Sequence, residues 1–353
     1  MNETIKTIQG DSAFIGRIRD KAALFILSAG YTKTAEIDGI TVAGLPGFIG
    51  YTPALDMEVL YYGYPKSMPD IAKMPEGPPS PVLIAMAVRG GAQLPVSFID
   101  TGLEIAPKCP HITLDSRPAE SVLEGADVPA LHLYEEGKRY AREIRDTSES
   151  FILSECVPGG TTTAYAVTRG LGYGCDAMFS SSNFDPATYS LKRGVVEKAL
   201  ANNPVESGDV FDVISKLGDT MQPFVAGMAV ELARSKPVIL GGGTQMAAVA
   251  AILARVPDTV NYGNLALITT KWIVDDGQSD IAALLKMVNP ELNAFYADFD
   301  FSGTSFKNLA LYDQGYVKEG IGAGAAIAHA YLKGMDKDAI REGVEAIYKA
   351  FGA

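Results

Sequence analysis

The sequence predicts an α/β protein: a Rossmann-like parallel sheet with helices on both faces, plus a small helical domain built from the two chain ends. Three observations carry that expectation. Apolar runs of strand length alternate with stretches of helical length. The runs are continuously apolar, as in strands buried on both faces of a parallel sheet. Several of them close on glycines and hydroxyls, residues suited to turning a strand into a helix.

A short helical segment opens the chain, and "AALFILSAG" (22–30) follows as a buried strand. "SPVLIAMAVRGGAQ" reads as a helix, with Pro81 in its first turn and Gly90 and Gly91 stopping it. "LPVSFIDTG" is a strand ending at Asp100, Thr101 and Gly102, and "LHLYEEGKRYAREIRD" is an amphipathic helix. The strand "SFILSEC" enters the turn "VPGG", and "TTTAYAVTRGLG" leaves it as a helix. "CDAMFSSS" reads as a further strand and "PATYSLKRGVVEKALANN" as a helix. "KPVILGGGTQMAAVAAILARV" repeats the phrase of strand, glycine turn and helix. "NLALITTKWI" and "LNAFYADFD" are strands with the helix "DIAALLKMV" between them. "VKEGIGAGAAIAHAYLKG" and "KDAIREGVEAIYKAF" are two helices with no strand between. The expected division is a large α/β domain over residues 21–309 and a small helical domain from 1–20 and 310–353.

Composition narrows the function. The chain has 353 residues and a formal charge of −12, which argues against a nucleic-acid surface. No apolar stretch reaches the length of a spanning helix and the start carries no secretory pattern, so the expectation is a cytoplasmic protein off the membrane. Cys109, Cys156 and Cys175 lack CxxC spacing, which points to reduced thiols and to no metal site. No cofactor is expected.

In such folds ligands sit beyond the carboxyl ends of the strands. There "VPGGTTT" offers free backbone N–H groups beside a helix dipole, with Gly159 and Gly160 permitting close approach and Thr161, Thr162 and Thr163 adding hydroxyls. A phosphate suits that turn; an ordinary connection with a threonine cap is the other reading. It is neither a Walker A loop nor a dinucleotide fingerprint. Gly242, Gly243 and Thr244 of the second glycine turn, with Asp100 and Gly102, are candidates for a nucleotide or base pocket. A carboxylate so near a phosphate, Glu155, makes sense if its charge faces a cationic part of the substrate; otherwise it is a solvated strand end. Glu319, in "KEGIGAGAA", is either a second site carboxylate or a first-turn residue favoured by the helix dipole. Asp275, Asp276 and Asp280 read as a magnesium site or a solvated acidic loop, and His111, His132 and His329 have no motif partners.

Taken in order and spacing, "SECVPGGTTTA", "LKRGVVEKAL", "KPVILGGGTQMAAVAAILA" and "KEGIGAGAAIAHAYL" resemble the nicotinate-nucleotide–dimethylbenzimidazole phosphoribosyltransferase family, in a divergent, archaeal-type branch. The resemblance implies phosphoribose transfer from nicotinate mononucleotide to an aromatic base such as 5,6-dimethylbenzimidazole, by a homodimer. It places the general base at Glu319 and a second catalytic carboxylate at Glu155. Phosphate and ribose contacts fall to Gly159, Gly160, Thr161, Thr162, Lys192 and the "SSSN" segment, Ser180, Ser181, Ser182 and Asn183. The small residues after Glu319 would leave room for a flat base. One departure bears on the acceptor: "SAG" (28–30) stands where bacterial members carry Asp-His-Gly. Another nucleotide-processing activity, or a non-catalytic nucleotide-binding regulator, are the alternatives on the same scaffold.

Overall fold

A computed structural model of the chain describes residues 4–44, 47–69, 77–181, 183–206 and 208–352. The first half builds β1 (Ile5–Gln9), α1 (Ala13–Ile18), β2 (Ala23–Ala29), α2 (Thr52–Tyr62), α3 (Val82–Ala92), β3 (Val96–Asp100), β4 (Ile112–Thr113), α4 (Ala130–Ile144), β5 (Ser150–Cys156) and α5 (Gly160–Gly170). The second builds α6 (Pro186–Asn202), α7 (Val210–Leu217), α8 (Met221–Ala233), β6 (Val238–Gly241), α9 (Thr244–Leu253), β7 (Leu265–Thr270) and α10 (Lys271–Val274). It ends with α11 (Ile281–Val288), β8 (Asn293–Ala297), α12 (Lys307–Ala310), α13 (Ala323–Leu332) and α14 (Lys337–Ala350).

The strands form one eight-stranded sheet in the order β1-β8-β7-β6-β5-β2-β3-β4. Every pairing is parallel except that of the edge strand β1 with β8. From β2 the chain builds outward to β3 and β4, then crosses back to β5 and builds the other way. The order therefore reverses between β2 and β5, where open α/β sheets take their ligands. All seven residues of β5 are buried, as a strand covered on both faces requires.

Each face carries its own apolar cluster. On one side Ile26, Phe151, Leu153, Val238, Leu240, Leu265 and Leu267 pack with α4, α5, α7, α8, α9 and α11. On the other, Phe25, Leu27, Ile152, Ile239, Ala266, Ile268 and Phe295 pack with α1, α2, α3, α13 and α14.

Several local expectations change. Residues 5–9, expected within a helix, form a strand: Ile5, Thr7 and Ile8 are β-branched, and β8 offers a free edge. Phe14 near the N-terminus and Ile327 and Val344 of the last two helices share one apolar cluster with Phe25 and Leu27 of β2. In "CDAMFSSS" residues 175–181 are turn and irregular backbone and not a strand, since β5 pairs directly with β6 and leaves no slot between them; the last serine lies outside the described residues. Gly90 and Gly91 do not stop α3, which runs to Ala92 before Gln93 turns left-handed at φ 51°. Among the described residues no helix is long and apolar enough to cross a membrane.

Candidate active site

A cavity of about 600 Å³, a size typical of small-molecule pockets, opens at the carboxyl edge of the sheet. Its two walls come from the two layers. Gly159, Gly160 and Thr161 at the start of α5, Ser180, Ser181 and Asn183 of the following loop, and Gly243 and Thr244 at the start of α9 make a hydroxyl- and amide-rich wall. Leu55 and Val59 of α2 and Pro79, Pro81, Val82 and Leu83 at the start of α3 make an apolar one. Glu155 and Glu319 also line the cavity.

Glu155 is the penultimate residue of β5 and only 2% exposed. Its Oε2 accepts from the Val157 N–H at 3.2 Å, while burial, then the nearby Glu319 charge, push the carboxyl up to about 8. The strand end is tied across the site, since the Ile321 N–H donates to the Glu155 carbonyl at 3.1 Å.

Glu319 does not begin a helix, as the sequence suggested; α13 starts at Ala323. It stands in a loop where Val317, Gly320, Ile321 and Gly322 all have positive φ. For β-branched Val317 and Ile321 that backbone is costly, and it holds only because its surroundings determine it. Four donors fix the carboxylate: Oε1 accepts from the N–H groups of Gly320 (3.1 Å) and Gly324 (3.3 Å). Oε2 accepts from the Thr269 hydroxyl (3.2 Å) and the Thr270 N–H (3.0 Å), at the carboxyl end of β7. Burial raises the Glu319 carboxyl to about 7 in spite of them.

Of the small residues after Glu319, Gly320 lines the cavity, whereas Gly324 serves packing. A Cβ on Gly324 would lie 2.1 Å from the Thr269 backbone carbon, and one on Gly241 2.8 Å from the Ala325 Cβ. They let α13 lie directly on β6 and β7, which brings the backbone donors to Glu319.

Lys192 lies on α6, capped at its start by Asp185, whose side chain accepts from the Ala187 N–H. The lysine is 4% exposed and donates to the Thr161 hydroxyl. Among the described residues no carboxylate pairs with it. Burial, helped by the charge of Lys318, pushes its amine down to about 7. A buried lysine that no carboxylate meets is costly, and its amine stands beside the start of α5, where backbone N–H groups are free of helical partners.

The remaining expected residues divide. Ser180 donates to Asp276 Oδ2 at 2.7 Å, and the buried Ser181 hydroxyl has no partner among the described residues. Asn183 Nδ2 donates to the Thr188 hydroxyl at 3.2 Å. The Thr244 hydroxyl is buried and unpartnered in the cavity wall. Ser182 lies outside the described residues. Thr162 is fully buried behind the wall, and Gly242 stands just behind Gly243 at φ 157°. Asp100 and Gly102 do not line the cavity: Asp100 Oδ1 accepts from the N–H groups of Gly102 and Leu103 and closes its own turn.

Sequence reasoning missed four contributors. Lys318, 2% exposed, donates to the carbonyls of Ser181 and Asn183 and the Tyr189 hydroxyl at 3.0 Å, and pairs with Asp276 at 3.3 Å. Asp276, read as a magnesium or surface residue, is thus the buried anchor of the serine loop. Asp219 accepts from the Thr163 hydroxyl at 2.5 Å and fixes α5, and burial lifts it to about 6. Gln245 lines the cavity with Oε1 buried and unpartnered. Asp56, on α2, is a third cavity-lining carboxylate, 7% exposed. Only Lys318, next to Glu319, carried a positional signal. Among the described residues no group of three His, Cys, Asp or Glu side chains is placed to hold a metal ion.

Comparison with known proteins bears on the family and the fold. Residues 92–267 match the family model described as phosphoribosyltransferase. A UPF0284 protein of Archaeoglobus fulgidus is 36% identical over 350 residues, 98% of each chain. One from Methanothermobacter thermautotrophicus is 33% identical over 347 residues, 96% of each. Among solved structures, the nicotinate-nucleotide-dimethylbenzimidazole phosphoribosyltransferase of Thermus thermophilus has a similar fold. Its TM-score is 0.58 at 19% identity, covering 95% of this chain and 86% of that one.

Proposed function

The chain belongs to the UPF0284 family, a divergent branch of the phosphoribosyltransferases, and from that premise we propose that it transfers phosphoribose from nicotinate mononucleotide to a benzimidazole-type base. The products are nicotinate and an α-ribazole 5′-phosphate, the precursor of a cobamide lower ligand. One observation carries the reading: the carboxylates of buried Glu155 and half-buried Glu319 line one cavity, and the buried Lys192, with which no carboxylate pairs among the described residues, stands behind its Thr161 wall. A site that only held a phosphate would gain nothing from the carboxylates.

Each group then has a task. The turn Gly159–Gly160–Thr161, with Lys192 behind Thr161, takes the 5′-phosphate, and Ser181 and Thr244 offer the unpartnered hydroxyls. The pyridinium nitrogen leaves as a neutral ring nitrogen, so no general acid is required. The incoming base attacks the anomeric carbon through one ring nitrogen and loses the proton on the other, and Glu319 accepts that proton. Three of its four donors are rigid backbone N–H groups; the Thr269 hydroxyl can rotate away and free an Oε2 lone pair. Glu155 faces the positive charge that builds on the ribose. The positive pyridinium of the bound nucleotide, next to the ribose, favours its ionised form, so binding itself prepares it.

The test is to mix the purified protein with nicotinate mononucleotide and 5,6-dimethylbenzimidazole and follow nicotinate by chromatography. Turnover is expected. Tight nucleotide binding with no nicotinate released, whichever azole base is supplied, would refute transfer and leave a binding protein.

A further inference from the structure

Asp56 has no task in the transfer just described, yet it is a buried carboxylate in the cavity wall. It sits on the apolar side, between Leu55 and Val59 on one helix and opposite Pro79, Pro81 and Leu83. Among the described residues no lysine, arginine or histidine pairs with it. Its Oδ2 is met by the Cys156 thiol, a weak donor, at 3.5 Å, and the Ser80 hydroxyl also bonds the carboxyl. A carboxylate offers about four acceptor positions, and among the described residues only these two side-chain donors meet them. A buried anion left so is costly, and an apolar pocket built only for methyl groups would carry leucine there. The Asp56 helix packs in the layer of α3 and α13, whereas α5 and α6, which carry Thr161 and Lys192, belong to the opposite layer.

Resting on the proposed transfer, we infer that Asp56 is a specificity-determining residue that reads the acceptor base. The preferred base carries an N–H or O–H donor on the ring remote from the attacking nitrogen. The apolar wall takes the ring's faces, and the Asp56 carboxyl accepts from that donor.

An isosteric pair tests this: 5-aminobenzimidazole against 5-methylbenzimidazole, nearly equal in shape and different in one donor. The wild-type protein should prefer the amine by roughly tenfold or more in kcat/KM, the range of a hydrogen bond to a charged group. Asp56→Leu should erase or invert the preference, and the closer isostere Asp56→Asn should reduce it. The KM for nicotinate mononucleotide should stay as in wild type throughout. Equal use of the two bases by wild type would overturn the inference, as would a preference that survives in Asp56→Leu. An effect falling on the nucleotide KM alone would assign Asp56 to the ribose and overturn it too. If neither base releases nicotinate, the transfer reading fails on its own account, and calorimetric affinities of the two bases still decide. An amine preference lost in Asp56→Leu supports the contact; equal affinities refute it.

Discussion

In the proposed transfer half-buried Glu319 and buried Lys192 have separate ionic tasks, so their replacement should separate chemistry from binding. Glu319→Gln keeps the side chain's size but cannot accept a proton in the transfer. Turnover is expected to fall by roughly 10²-fold or more while calorimetry finds nucleotide affinity within a few-fold of wild type. Its acidic limb, set by a carboxyl near 7, should vanish from the pH profile. If that limb persists, the base is Glu155. Lys192 gives a different signature. Its amine, held down to about 7 without ligand, must be charged to meet a phosphate dianion. Nucleotide affinity should therefore weaken above pH 7, by up to roughly tenfold per unit. Lys192→Met should bind more weakly by about 1.5–3 kcal/mol at pH 6.5 and lose that steepness. Equal affinities for wild type and Lys192→Met across this range would leave the phosphate without its cation.

At the scale of elements, the seat of Glu319 is the contact of α13 with the carboxyl end of β7. A methyl group on Gly324 meets backbone, which cannot swing aside as a side chain does. Gly324→Ala should therefore displace α13 and with it the Gly324 and Thr270 donors. A stability loss of about 1–3 kcal/mol is expected in denaturant unfolding, with a larger proportional loss of turnover than of nucleotide affinity. Wild-type stability in that variant would mean the contact is looser than the geometry indicates. The same contact shows what could and could not be read from the chain. Runs such as "FILSEC" and "VILGGG" marked buried parallel strands and the edge where a ligand sits, because continuous burial and strand-end glycines are local properties. The pattern "EGIGAGAA" marked Glu319 but not the purpose of its small residues, which depends on a strand some fifty residues away. Asp56 was invisible for the same reason. Its helix looks like any apolar helix, and only the packing of α2 against α3 places the carboxyl on the cavity. The N-terminal segment misread as helix shows the limit at an edge strand, where only one of the five residues is buried and the apolar run is too short to have a period.

Across the whole molecule, the topology brings four carboxyls with raised affinity for protons to one edge of the sheet: Glu155 to about 8, Glu319 to about 7, and Asp56 and Asp219 to about 6. Burial is the leading cause in each. A group whose pKa is raised by folding holds its proton in the native state when the unfolded chain has already lost it. Its contribution is complete below the unfolded value, near 4, and is lost as pH rises to the folded value. Each such group contributes a slope of up to about 1.4 kcal/mol per pH unit in that interval. Asp276, Asp298 and Asp300 are lowered and act in the opposite sense, but their losses fall in more acidic solution, as pH drops through their folded values. Lys192, depressed to about 7, begins to restore stability above that pH. The ligand-free protein should therefore melt at a lower temperature at pH 7 than at pH 5 in scanning calorimetry. Glu155→Gln, which removes the strongest of the four, should melt above wild type at pH 7 and close to it at pH 5. Both comparisons follow from one cause, charge confined without water at the site. A wild-type melting temperature that rises from pH 5 to pH 7 would show instead that these carboxyls are solvated in the free protein.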